Sequence, residues 1–182
     1  MELNTRTCST LRFLHMRSSG RVNLCNWWAP MNWRISQPND DDLIVDLCLA
    51  LNREDPGPQH VGVDQIRNTL MELRANPVRG RTAVLELDGR VEGYAFLIAY
   101  WSNELGGEIC NIDEIYVRPD RRGRGYGRIL VQAVVAGDSV WPGRPAAIAV
   151  EVSPTNERAM ALYSRLGFIR SPNLHLLLRR VP

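Results

Sequence analysis

The chain contains no lysine: all 22 of its basic residues are arginines. A nucleotide-binding P-loop of the GxxxxGK[ST] type is therefore excluded. The 20 acidic residues bring the net charge to +2, which leaves no dense basic face for bulk nucleic-acid binding. Cysteine is scarce, at Cys8, Cys25, Cys48 and Cys110, with no CxxC pair and no histidine at ligand spacing. A zinc site or a thioredoxin-like pair does not fit, and no metal is expected. Four scattered cysteines in 182 residues indicate a reducing compartment, so a cytoplasmic location is expected. No run of about 18 apolar residues exists, which excludes a membrane-spanning helix. What remains is 45% hydrophobic, 23% charged and 7% aromatic, enough apolar material for a real core and too much for a disordered chain.

Charge is unevenly spread. Residues 1–30 hold four arginines against one glutamate, are rich in Ser, Thr and Asn, and show no clear period. Such a segment reads as an N-terminal extension, a mis-assigned start or a transit peptide, and the amphipathic pattern a transit peptide needs is weak. Trp27, Trp28 and Trp33 are rings able to pack on a domain and order such a tail. Residues 31–182 form a slightly acidic single domain, with no internal repeat or low-complexity linker.

Within that domain Asn32–Ser36 reads as a strand. Asn39–Asp42 supplies a helix cap and first-turn negative charge, ahead of Leu43, Ile44, Leu47, Cys48 and Leu51 at helical spacing. Ile66, Leu70 and Leu73 mark a second helix. Thr82–Leu87 and Arg90–Tyr100 are strands joined through Asp88-Gly89, a hairpin signal. Glu108–Val117 is a third long strand. A helix follows from Ile129 to Gly137, then a strand over Ala146–Val152 and a helix carrying Ala159, Leu162, Tyr163 and Leu166 up to Gly167. Phe168–Arg170 and Leu174–Leu178 read as final strands. The order β-αα-βββ-α-β-α-ββ is a mixed α/β fold with a largely antiparallel sheet flanked by helices.

The most informative stretch runs from Val117 through Arg122, Gly123, Arg124, Gly125, Tyr126 and Gly127 to Arg128, between a strand and a helix. Glycines let successive backbone N–H groups turn inward around an anion, and a helix starting there adds its positive end. Arg121, Arg122, Arg124 and Arg128 add charge, so the composition suits a diphosphate. A dinucleotide fingerprint would need glycine at position 128, where arginine stands. Taken alone, the loop also fits a solvated surface turn.

Arg122-x-x-Gly125-x-Gly127, following Ile112–Pro119, resembles the R/Q-x-x-G-x-G/A signature of the GNAT (Gcn5-related N-acetyltransferase) superfamily. Asn156–Phe168 is similar to that family's NxxAxxLYxxxGF segment. The resemblance covers residues 31–182 and implies a GNAT fold whose fourth and fifth strands splay around the pantetheine of acetyl-CoA, the acetyl donor. Carried over, the backbone of Ile115, Tyr116 and Val117 would pair with pantetheine. The Val117 N–H would face the thioester oxygen, and N–H groups from Gly123 to Arg128 would hold the pyrophosphate. Asn156 would bond the pantetheine arm.

The same resemblance makes Tyr163 the general acid for the departing thiolate, since a phenol of pKa about 10 holds its proton at neutral pH. By helical phase alone it is equally a core ring. Asp113 and Glu114 are adjacent carboxylates able to take the amine's proton, directly or through water; alternatively they are solvated strand residues. A bulge, common at this point of the family, blurs which of them faces the acceptor. Trp101, Glu104, Glu108 and the Arg53–His60 segment are acceptor-side candidates, and His60 is equally a solvated loop residue. The acids suit a cationic acceptor. Cys110 has a small claim as a nucleophile. The expectation is direct attack of a small-molecule amine on acetyl-CoA, with no nucleic-acid or membrane partner and a homodimer left open. Alternatives are a protein N-acetyltransferase and a non-catalytic acyl-CoA-binding regulatory module.

Overall fold

The computed structural model describes residues 33–57, 61–137, 139–171 and 178. The expected tail over residues 1–30, with Trp27 and Trp28, lies outside them, as does His60. The first strand, β1 (Trp33–Ile35), leads through a 3-10 turn at Pro38–Asp40 into α1 (Asp41–Glu54) and α2 (Val63–Ala75). Then come β2 (Gly80–Leu87), β3 (Arg90–Ser102), β4 (Gly107–Val117), α3 (Tyr126–Ala136), β5 (Ala147–Val150) and α4 (Glu157–Arg165). The sheet order is β1-β2-β3-β4-β5, antiparallel except for the β4–β5 pair, which is parallel.

Period-two alternation splits the core between the two faces of this sheet. Ala83, Leu85, Ala95, Leu97 and Ile112 pack with Leu130 and Val134 of α3, with Trp141 and with Tyr163 of α4. Val84, Tyr94, Phe96 and Tyr116 pack with Ile44 and Leu47 of α1 and with Ile66 and Leu70 of α2. The Asp88-Gly89 turn has both residues at positive φ, 52° and 73°, the conformation whose twist suits a two-residue hairpin. At the other end, the buried Trp33 indole N–H donates to the Tyr126 carbonyl at 2.9 Å. It thereby fastens β1 to the first turn of α3, next to the Gly/Arg loop.

The strand expected at Phe168–Arg170 does not form. The Phe168 N–H is spent on the Tyr163 carbonyl at 3.0 Å, closing the end of α4, and its ring packs edge-on against Tyr163 at 5.1 Å. A residue folded back onto a helix end has no donor left for a ladder. The strand expected over Leu174–Leu178 lies, except for Leu178, outside the described residues.

Candidate functional site

Two local defects open the sheet. The β4–β5 pairing runs only from Ile109 opposite Ala147 to Ile112 opposite Val150. The register of β3 against β4 slips next, pairing Leu97 with Ile112 and Phe96 with Glu114, so that Asp113 is the extra residue of a bulge. From there β4 follows β3 and leaves β5. The Arg118 N–H donates to Glu92 O on the β3 side at 3.0 Å. Because N–H groups alternate along a strand, those of Val117 and Ile115 point to the opposite, open edge. A cleft of about 620 Å³ occupies the gap, walled by Ile115–Val117, the Gly/Arg loop, and the facing sides of α1 and α4.

The loop is built for an anion. Gly123 and Gly125 hold positive φ of 82° and 85°, and Gly125, the N-cap of α3, has no side chain to offer the first-turn N–H groups. Those donors and the helix dipole face the cleft. Gly127 serves packing: a Cβ there would stand 3.2 Å from Leu162 Cδ2, so its absence lets α3 lie close to α4. Of the four loop arginines, only Arg122 and Arg128 line the cleft. Arg121 turns away to Glu92, at 3.0 Å, and Arg124 is solvent-exposed. Arg158 and Arg165 of α4 line the cleft instead, and the Arg158 Nη2 lies 3.6 Å from where a Gly123 Cβ would be. Their spacing of seven, astride Leu162, was a legible helix face that the apolar stripe overshadowed.

Arg122 is held by protein through two of its nitrogens and its face. Its Nε donates to Val117 O at 2.7 Å, its Nη2 pairs with Glu54 Oε2 at 2.6 Å, and its guanidinium lies 5.0 Å from the Tyr116 ring centroid. The Tyr116 hydroxyl donates to the other Glu54 oxygen at 2.6 Å. The Tyr116 bond, followed by Arg122, holds the Glu54 carboxyl below its usual pKa against the opposing effect of burial. Glu54, at the end of α1, thus ties the helix to the strand and the loop. It falls in the Arg53–His60 segment expected on the acceptor side, but its tie to the strand and loop has no local sequence signal, since its partners lie 62 and 68 positions away.

Tyr163 lines the cleft, is 6% exposed, and makes no hydrogen bond through its hydroxyl among the described residues. Burial pushes its pKa up, so the phenol keeps its proton at neutral pH. Asn156 also borders the cleft, but its Oδ1 accepts from Ala159 N at 3.0 Å as the cap of α4, leaving its amide N–H₂ for any ligand. Asp113 and Glu114 stand at the bulge, outside the cleft wall. Glu114 turns toward the α1–α2 face, where Tyr94 OH donates to its Oε2 at 2.6 Å. Burial pushes its pKa up, opposed by the Tyr94 bond. Asp113 keeps solvent contact, yet the walls around it, and then the Glu151 charge, push its pKa up as well.

Other candidates do not converge. Glu104 lies in the β3–β4 turn, Trp101 near the end of β3 and Glu108 near the start of β4; nine residues at about 3.3 Å each separate Glu108 from Val117, roughly 30 Å. Glu108 is occupied there by the Trp141 N–H at 3.1 Å. Cys110 is fully buried with its thiol pushed up to about 12, chiefly by burial, which disqualifies it as a nucleophile. Among the described residues no helix is long and apolar enough to cross a membrane.

A sheet that splays beside a glycine-rich helix start is the arrangement the sequence signature implied, and residues 46–168 match the Acetyltransferase (GNAT) family. The chain belongs to this family. Among curated relatives of this GNAT chain is an L-2,4-diaminobutyric acid acetyltransferase of Nocardia farcinica, 33% identical over 95 residues, covering 52% of this chain and 47% of that protein. The chain spans less than half the length of the curated relatives it matches. Among solved structures, an integron cassette protein from a salt-marsh metagenome superposes with a TM-score of 0.65 at 24% identity, covering 83% of this chain and 91% of its own. An aminoglycoside N-acetyltransferase in complex with CoA gives a TM-score of 0.59 at 18% identity, covering 82% and 99%. At these identities the structures establish the shared fold.

Proposed function

We propose that residues 31–182 form an N-acetyltransferase that moves the acetyl group of acetyl-CoA to the primary amine of a small molecule, by direct attack on the thioester. The observation that carries this reading is the junction of three features in one cleft: the open edge of β4 at Ile115–Val117, the N-terminus of α3 at Gly125, and the Tyr163 hydroxyl, which has no hydrogen-bond partner among the described residues. Bound acetyl-CoA supplies an activated thioester. The first-turn N–H groups of α3 take its diphosphate, with Arg128, Arg158 and Arg165 as flanking charge. The Val117 N–H donates to the thioester oxygen as charge develops there, an effect worth about 2.7–4 kcal/mol when such a donor is lost. Tyr163 gives its proton to the departing sulfur. Glu114 accepts the proton that the amine sheds, with Asp113 beside it. Neither carboxylate pairs with an arginine among the described residues, which favours a cationic acceptor.

The diaminobutyric acid relative supports a small amine bearing more than one charged group. The decisive experiment is a panel of amines, including diamino acids, polyamines and aminoglycosides, assayed for CoA release, with acetyl-CoA binding measured in parallel. Binding with release on at least one amine is expected. Binding with no transfer to any amine or peptide N-terminus would move the chain to the regulatory acyl-CoA-binding reading, and absence of binding would end both.

A further inference from the structure

Tyr94 is 0% exposed, and its ring is wedged edge-on to Phe96 at 5.3 Å and tilted against Tyr116 at 6.5 Å, which holds the ring in place. On the ladder Tyr94 stands opposite Tyr116 and Phe96 opposite Glu114, so Tyr94 reaches Glu114 along the diagonal of the β3–β4 pair. That diagonal exists only because of the bulge at Asp113. In a regular strand Glu114 would share the face of Ile112 and point toward α3. Packing alone would accept Phe at position 94. The added hydroxyl donates to Glu114 Oε2 at 2.6 Å, with the Cys48 thiol as its other polar neighbour, and among the described residues Oε1 has no protein donor.

We infer that Tyr94 is a positioning residue for acetyl transfer: its phenol fixes the Glu114 carboxylate with Oε1 turned out to receive the proton of the acceptor amine, and favours the ionised form that can receive it. The inference rests on the reading of Glu114 as the base. Three groups face Glu114: Tyr94 from β3, the Cys48 thiol behind it from α1, and Asp113 from its own strand. The thiol is buried and pushed up to about 12, hence neutral, and Asp113 opposes ionisation. Tyr94 is therefore the one neighbour whose bond favours the charged carboxylate.

The test compares kcat–pH profiles of the wild type, Tyr94→Phe and Glu114→Gln, using acetyl-CoA and the amine turned over fastest in the panel. Acceptor ionisation is common to all three. Losing a hydrogen bond to a charged acceptor should raise the acid limb in Tyr94→Phe by roughly one pH unit, with the alkaline plateau within about threefold of wild type. Glu114→Gln should lose that limb and about 10²-fold in kcat. Replacing Tyr94 with 3-fluorotyrosine keeps the volume and strengthens the donor, so its limb should move down, a shift that packing damage cannot produce. An inactive Glu114→Gln beside unmoved limbs in both Tyr94 replacements overturns the inference and spares the base. An undiminished Glu114→Gln rate overturns the base itself. If Tyr94→Phe does not fold, the fluorotyrosine protein and a carbon NMR titration of the Glu114 carboxyl decide.

Discussion

Gly125→Asp separates the fold from the anion site. Gly125 sits at φ 85°, ψ 8°, at the start of α3, and a Cβ there meets nothing within 4 Å. The cost to folding is then the left-handed backbone, about 1–2 kcal/mol for an ordinary residue and less for Asp. A negative charge at a helix N-terminus returns about 0.3–1 kcal/mol. The net is within about 1.5 kcal/mol, a fall in Tm of no more than roughly 6 °C for a domain this size. Binding is another matter. Two unit charges 4 Å apart near a protein surface interact by about 4 kcal/mol. Even with about a third of one such interaction screened, a diphosphate facing the introduced carboxylate should lose about 2.7 kcal/mol, a hundredfold in Kd. Gly125→Ala carries the backbone strain without the charge and should weaken acetyl-CoA only a few-fold. Calorimetric titration with acetyl-CoA beside thermal melts reads both quantities. An aspartate variant that folds and binds with wild-type affinity would refute the placement of the diphosphate at α3.

Tyr163→Phe should bind acetyl-CoA normally and lose about 10²–10⁴-fold in single-turnover rate; a wild-type rate would make the ring purely structural. Glu54→Ala removes the acceptor shared by Arg122 and Tyr116, so the guanidinium that donates to Val117 O loses its anchor; an approximately tenfold slower single turnover is expected, and rapid-quench kinetics check it. In Gly93→Ala the new Cβ would lie 2.5 Å from Tyr116 O and 3.3 Å from Val117 Cα. Prising β4 off β3 should cost about 3 kcal/mol in urea unfolding. Asp40, 4% exposed, has its pKa lowered first by the Arg34 bond, against desolvation, so it stabilises the fold above its unfolded pKa of about 3.9 and less as pH falls through the folded value. Asp40→Asn should lose roughly 1–3 kcal/mol at pH 7, and urea melts in acid should show the gap to wild type closing.

Sequence by itself determined most of the scaffold, because its signals are local. Leu43–Leu51 at helical spacing, the Asp88-Gly89 turn and the Gly125-x-Gly127 helix start each follow from the backbone preferences of neighbouring residues, and each is where it was expected. What tertiary structure decided are the long-range facts. A strand alternates its faces strictly, so the bulge at Asp113, which no residue type announces, chose the side on which Glu114 lies and paired it with Tyr94. Glu54 reached Arg122 and Tyr116 only once α1 had packed across β4. That ion pair took Arg122 out of the set of free cations, while Arg158 and Arg165 entered from α4. At Phe168, a residue with good strand character closes a helix instead, its N–H bonded to the Tyr163 carbonyl. Helices and turns are written in neighbouring residues. Which carboxylate meets which phenol or guanidinium is written in the packing of elements dozens of residues apart.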